Sequence, residues 1–181
     1  MSDERWEMVD RLRATGAAFV QRVEETGDQA WGTTPPGGGW SLAQVAEHVA
    51  LVEVSTGKLI SRKLFTEAAP PEVLAATAGK DRGLVVRLPD RSDRREAPDF
   101  VTPSGKWGTR DELLRAFEVA RETNILQLCD PTRDLRRYAA AHPIIGPLDA
   151  YQWGLFLSLH LSRHLDQMDE IAGRLGEQAP G

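Results

Sequence analysis

WGLFLSLHLSRHLDQMDEIAGRL, residues 153–175, is a long and largely apolar stretch near the end of the sequence. Its apolar positions recur every three or four residues, which predicts one buried helix face. His160 and His164 occupy positions on that face where Leu or Ile would be expected. Burying an imidazole without a partner costs a few kcal/mol. Because residues four apart on a helix project side by side, a shared metal ion is the first candidate partner.

A third histidine lies on another predicted helix. Ser41 and Gln44 have the spacing of a capping box, which marks a helix start. The apolar stripe that follows contains Val45, Val49, Val52, Leu59 and Leu64. His48 falls on the same face, so three of the four histidines lie on core-facing stripes. We predict that His48, His160 and His164 bind one divalent metal ion; the alternative is three separate core histidines bonded to neighbouring side chains.

Two more amphipathic segments complete the set of helices. The first helix is predicted over residues 2–25, with Ser2 as its N-cap. The third is predicted over residues 109–130, where it opens on a capping box and closes before a proline. The fourth is predicted over residues 149–175, capped by Asp149. Strand signals are few.

These segments predict an all-α protein, a four-helix bundle in one domain spanning residues 1–181. Residues 67–108 form a long crossover between the second and third helices, suited to packing over the bundle or to contributing to a partner interface, with a short helical piece near 71–77. Helices one and two are expected to pair as a hairpin, and helices three and four as another. Residues 131–148 are predicted to be irregular, and the charged run 90–96 to be a solvated loop.

Composition argues against several classes of function. The 22 basic residues are interleaved with 27 acidic ones and the net charge is -5, so no nucleic-acid partner is expected. No apolar run is long enough to span a membrane, and the opening residues lack the pattern of a signal peptide. Cys129 is the single cysteine, which fits a reducing, cytoplasmic location, and we interpret it as a packing residue.

Three imidazole ligands suit zinc, nickel, iron or copper. They leave a coordination position open for water or substrate, as in catalytic sites. Leu161 replaces the glutamate of the His-Glu-x-x-His motif, which disfavours metalloprotease chemistry. Gln44 and Gln167 lie within one turn of His48 and His164, so both amides are candidate ligand-binding groups in the same cavity. Their alternative roles are a helix cap and a polar residue at the solvent edge.

No catalytic residue can be assigned. Glu47 and Glu53 share a helix with His48, but an ideal helix points them about 100° and 140° away from it. A direct role for either carboxylate as a general base is therefore disfavoured.

Three motifs occur in order along these helices. They are Trp40-Ser41 with His48, the loop His142-Pro143-x-x-Gly146-Pro147-Leu148, and His160-x-x-x-His164-x-x-Gln167. The sequence resembles the DinB-like (DinB/YfiT) superfamily of metal-binding four-helix bundles over nearly its whole length, except for residues 67–108. The resemblance implies that the three predicted ligands hold one metal ion, commonly zinc or nickel, and that the protein forms a homodimer. His142 matches the loop motif of the family, where it is expected to brace the start of the fourth helix.

The resemblance also implies an activity. Characterised members include S-transferases that use bacillithiol or similar low-molecular-weight thiols, and a mycothiol-dependent isomerase. The leading hypothesis is therefore a metal-dependent S-transferase that joins such a thiol to a small electrophile. One alternative is a small-molecule hydrolase that uses the same ion to form hydroxide from water. The other is a non-enzymatic metal- and ligand-binding protein of the stress response.

Overall fold

The computed structural model describes residues 3–92 and 96–176. Four long helices form its body: α1 (Asp3–Glu25), α3 (Leu42–Leu59), α6 (Arg110–Cys129) and α7 (Ala150–Gly176). The shorter helices are α2 (Asp28–Trp31), α4 (Pro71–Ala75) and α5 (Lys80–Arg87). Two short strands, β1 (Ala139–His142) and β2 (Gly146–Asp149), precede α7. The predicted four-helix bundle with a long crossover is confirmed. No helix within the described residues is long and apolar enough to cross a membrane.

The predicted caps start three of the long helices. Ser41 with Gln44 and Thr109 with Glu112 form complete capping boxes at α3 and α6. At α7, the Asp149 carboxylate accepts from the Gln152 backbone N–H at 2.8 Å, and the Gln152 side-chain oxygen accepts from the Asp149 N–H at 3.1 Å. Each cap satisfies backbone groups that the first helical turn leaves unpaired. The predicted N-cap of α1, Ser2, lies outside the described residues.

The predicted pairing of the helices into two sequential hairpins is wrong. In the bundle α1 packs against α6 and α7, and α3 packs against the same two helices, so that α1 and α3 lie on a diagonal. Met8 approaches Gly154, and the Arg22 guanidinium donates to the Met168 carbonyl at 3.2 Å, so α1 and α7 run parallel. Periodicity identifies the buried face of a helix but carries no information about which neighbour covers it.

The pairing of α3 with α7 is antiparallel and positions the predicted ligands. His48 meets His160 near the middle of the pair, and Pro36, just before α3, accepts a hydrogen bond from Arg174 near the end of α7. The faces that carry the three histidines therefore oppose each other across the bundle. Two clusters of buried apolar residues surround these faces, one on each side of the histidines along the bundle.

Residues 131–148 are more ordered than predicted. They contain an antiparallel hairpin in which Ala139 pairs with Asp149 and His142 pairs with Gly146. Gly146 has a φ of 79°, a left-handed conformation that favours glycine and turns the chain into β2. The strand Ala-Ala-Ala-His has no alternation of polar and apolar residues, so its sequence gives no strand signal.

The crossover contains the predicted helical piece as α4, together with α5, which the sequence did not indicate. α5 packs against α7. The charged run 90–96 is only partly described, because residues 93–95 lie outside the structure's range. Arg91, within this run, pairs with Glu170 of α7 at 2.6 Å, so the described part is attached to the bundle and is not a free solvated loop.

Candidate metal centre and its cavity

The three predicted ligands lie within reach of one another. His160 Nε2 lies 3.3 Å from His48 Nε2 and 3.2 Å from His164 Nε2. All three ligand nitrogens fall within 4.8 Å of one another. Zinc bound to imidazole at about 2.0–2.1 Å in tetrahedral geometry would separate its nitrogens by about 3.3–3.4 Å. The spacing therefore fits one ion held by three rings.

Hydrogen bonds on the far sides of two rings fix their tautomers. His48 Nδ1–H donates to the Val101 carbonyl at 2.9 Å, and His164 Nδ1–H donates to the Gln167 side-chain oxygen at 2.8 Å. Both Nε2 atoms therefore carry lone pairs directed at His160. A protonated His160 Nε2 could satisfy only one of them at a time, whereas a cation accepts all three lone pairs. Such outer hydrogen bonds are typical of metal-binding histidines.

Burial favours the neutral form of all three rings. Burial lowers the pKa of His48, and it lowers the pKa of His164 to about 3, because a buried imidazolium loses its hydration. The pKa of His160 lies well below its usual range, first through burial and then through its two neighbours. Only neutral imidazole binds a metal ion, so the lowered pKa values favour metal binding at neutral pH.

The histidines open on a cavity of about 1840 Å³ between α3, α7 and the crossover. Because α3 and α7 are antiparallel, the order of residues along them divides this cavity into two arms. The apolar arm extends from the histidines toward the β-hairpin. Its apolar lining is Val52, Leu59, Ile144, Trp153 and Phe156, and its polar lining is Ser55, Thr56, Lys80 and His142. The polar arm extends the other way and is lined by Gly37, Gly38, Gly39, Trp40, Gln167, Glu170 and Arg174.

Comparison with known proteins places this chain in a family. The sequence profile of the DinB superfamily matches residues 11–168. The chain belongs to the DinB superfamily. A Bacillus subtilis (strain 168) relative named Uncharacterized protein YuaE is 24% identical over 148 residues, covering 82% of this chain and 86% of that protein. The crystal structure of TT2238, a four-helix bundle protein, shares the fold with a TM-score of 0.58 and 22% identity, covering 92% of this chain and 98% of that one.

The two glutamines of this DinB-superfamily protein occupy different places. Gln167 lines the cavity and orients His164. The Gln44 side-chain oxygen instead accepts from the Ser41 backbone N–H at 2.9 Å, and Gln44 lines a separate small pocket beside Glu47. The structure thus brings Gln167 to the histidines and uses Gln44 as a helix cap. The fourth histidine, His142, lines the apolar arm, where Phe156 lies between it and His160.

A carboxylate next to His48 in sequence anchors the crossover at the site. The Glu47 carboxylate accepts from the backbone N–H groups of Ser104, Gly105 and Lys106 at 2.8–3.0 Å. Burial by itself would raise the pKa of Glu47, but these three donors outweigh it and the pKa lies below its usual value. Glu47 thereby fixes the segment just after Val101, the residue whose carbonyl orients His48. No side-chain pattern indicated this contact, because its donors are main-chain groups.

We expect Glu47→Gln to weaken zinc binding about tenfold, the lower end of the cost of losing an outer hydrogen bond at a metal site. A glutamine amide would place an NH₂ against backbone donors, release the segment and loosen the Val101 carbonyl from His48. The measurement is the zinc Kd by competition with a chelator. Glu112→Gln is the matched control, because Glu112 also accepts backbone N–H groups, at the start of α6. Equal zinc affinity in both variants would show that Val101 stays in place without Glu47.

Proposed function

We propose that this protein is a metal-dependent S-transferase that joins a low-molecular-weight thiol to a small electrophile. The observation that carries the proposal is the position of the three histidines where the two arms of the cavity meet. Two small molecules can approach the same open coordination position from opposite sides. A hydrolase acting on one substrate would need only one arm.

The donor set suits thiol activation. A divalent ion held by His48, His160 and His164, with zinc the first candidate and nickel or iron the others, would bind a thiol, lower its pKa and present the thiolate as a nucleophile. The thiol proton would pass to solvent, and a chloroalkyl electrophile would release chloride, so the protein itself needs no general base. This agrees with the two carboxylates of α3, since Glu47 is bonded to the crossover and Glu53 to Arg121.

The two arms differ in the way that two substrates would require. In the polar arm, Gln167 and Arg174 offer groups that suit the polar body of a thiol cofactor. In the apolar arm, Trp153 and Phe156 offer aromatic surface that suits the body of an electrophile. Trp40 packs against His48 with ring centroids 5.1 Å apart and lines the cavity on the polar side. The chain therefore supplies orientation and exclusion of water, while the ion supplies the chemistry.

The test is thiol transfer by zinc-loaded protein. We expect bacillithiol or mycothiol to react with monochlorobimane faster than in the absence of protein, and we expect His48→Ala to remove the acceleration. Cys129→Ser is the control that excludes the protein's own thiol, and it should leave the rate unchanged. Cobalt-substituted protein should change its visible spectrum when the thiol is added.

Other results would favour other functions. A cobalt spectrum that no thiol perturbs would contradict the transferase. Hydrolysis of esters or amides that needs no thiol and is lost in His48→Ala would favour the hydrolase. Tight binding of ligands without turnover of any electrophile would favour a non-enzymatic binding protein.

A further inference from the structure

His142 is held at the end of β1 by its own hairpin. Its Nδ1 atom is met by the backbone N–H groups of Ile144 at 3.1 Å and Ile145 at 3.2 Å. Two donors can point at one ring nitrogen only if that nitrogen carries a lone pair. The proton of the neutral ring therefore resides on Nε2.

The Nε2–H group of His142 has no hydrogen-bond acceptor within residues 3–92 and 96–176. The ring is held between aromatic neighbours, with centroids 5.4 Å from Trp153 and 4.7 Å from Phe156. It lines the apolar arm of the cavity. His142 is only half-buried, so its Nε2–H is open to the cavity, where a ligand or water can supply the acceptor.

The ring also stays uncharged. Burial lowers the pKa of His142 to about 4, helped by the nearby charge of Lys80, whose ammonium group donates to the carbonyls of Ile145 and Pro147 at 3.0 and 2.7 Å. At neutral pH His142 thus offers one neutral donor and no cation. A neutral N–H of this kind can donate to the oxygen of a carbonyl group without any transfer of a proton.

We propose that His142 is a substrate-binding residue whose Nε2–H donates to a carbonyl oxygen of an electrophile with an apolar body, seated in the apolar arm. The identification of this ligand as the electrophile rests on the proposed transferase function. The donor itself does not depend on the metal ion. Phe156, which separates His142 from His160, keeps the bound carbonyl one aromatic ring away from the three histidines.

Two variants of His142 separate the roles of its two ring nitrogens. His142→Asn places an amide oxygen near the Nδ1 position, where it can accept from the Ile144 N–H as in an Asx-turn, but its NH₂ cannot reach the Nε2 position. His142→Gln places an NH₂ near the Nε2 position and loses the acceptor that holds the turn. A purely structural role predicts that asparagine substitutes better than glutamine, whereas a role in binding predicts the reverse.

The probe is benzylacetone, a ketone that does not react with thiols, with butylbenzene as its isostere without oxygen. In ¹⁵N-labelled protein, we expect the Nε2–H tautomer of His142 and a shift of its Nε2 resonance on adding benzylacetone. We expect His142→Asn to bind benzylacetone about 3- to 10-fold more weakly, the range for one hydrogen bond, and His142→Gln to bind it nearly as the wild type does. Butylbenzene should bind all three proteins equally, and His142→Gln should have the lowest Tm.

Several results would overturn the proposal. They are an Nδ1–H tautomer, an Nε2 resonance that millimolar benzylacetone does not move, or equal benzylacetone affinity in the wild type and His142→Asn. Transfer of thiol to benzylideneacetone by zinc-loaded protein separates this proposal from the proposed function. If no thiol is transferred but benzylacetone still shifts the Nε2 resonance, the transferase function is contradicted. His142 would then remain a residue that donates a hydrogen bond to a carbonyl oxygen. If His142→Asn transfers thiol with an unchanged KM for benzylideneacetone, the proposed role of His142 is contradicted. The transferase function would then still stand.

Discussion

His160→Ala is expected to abolish stoichiometric metal binding. His160 Nε2 lies next to both other ligand nitrogens, at 3.3 and 3.2 Å, so its loss leaves two imidazoles on different helices and no firm site. The loss should exceed the 10- to 100-fold cost that is typical of an outer hydrogen bond at a metal site, about 1–3 kcal/mol. The measurement is elemental analysis of protein purified without a metal-affinity tag, followed by titration with zinc and nickel.

The fourth histidine provides the control for this experiment. His142→Asn removes an imidazole from the same cavity but not from the metal-binding set, so it should retain the metal content of the wild type. A wild-type protein that contains no metal and takes up neither zinc nor nickel would show that the three histidines form a hydrogen-bonded core cluster. Metal retained by His160→Ala would place the ion on other residues.

Glu53→Ala is expected to destabilise the protein by about 3–5 kcal/mol, the cost of breaking a buried ion pair. Glu53 is 2% exposed and Arg121 is 5% exposed. The Glu53 carboxylate accepts from Arg121 at 2.9 Å and from the Asn124 amide at 2.7 Å, which joins α3 to α6. Arg121 also donates to the Leu12 carbonyl of α1 at 2.9 Å. Removing the carboxylate would leave a buried guanidinium without its counter-charge. The measurement is urea unfolding of the metal-free protein.

An exposed ion pair serves as the comparison for Glu53. Asp10 and Arg13 lie 3.5 Å apart on α1 with side chains mostly exposed, so Asp10→Ala should change stability by less than about 0.5 kcal/mol. The double variant Glu53→Leu with Arg121→Met should recover much of the stability, because it leaves no unpaired charge. A Glu53→Ala midpoint close to that of the wild type would show that water or another group compensates Arg121.

Helical periodicity and capping explain why much of this fold could be predicted. Ser41 and Thr109 mark helix starts through local hydrogen bonds that a sequence records directly. The spacing of His48 relative to the apolar residues of its helix predicts that it lies on the buried face, and this is the face that meets His160. The helix angles agree with the positions of the two carboxylates, since Glu47 and Glu53 bond to groups other than the histidines, while their exclusion as a general base stays a prediction.

What the sequence could not predict depends on main-chain groups and on neighbours. The Val101 carbonyl orients His48, yet every residue has a carbonyl, so no side-chain pattern identifies this one. The ion pair of Glu53 with Arg121 depends on the order of helices around the bundle, which periodicity does not contain. The metal ligands, the homodimer and the cytoplasmic location stay predictions.

The diagonal placement of α1 and α3 bears on how the chain folds during synthesis. The apolar stripe of α1, with Val9, Leu12 and Phe19 fully buried, is made first, but its partners α6 and α7 are made last. The N-terminal part of the chain alone therefore contains no native pair of long neighbouring helices. Long-range contacts of this kind slow folding relative to a bundle with sequential neighbours, and they leave apolar surface exposed while synthesis continues. The buried face of α1 therefore gains its full native cover only after α7 has emerged from the ribosome.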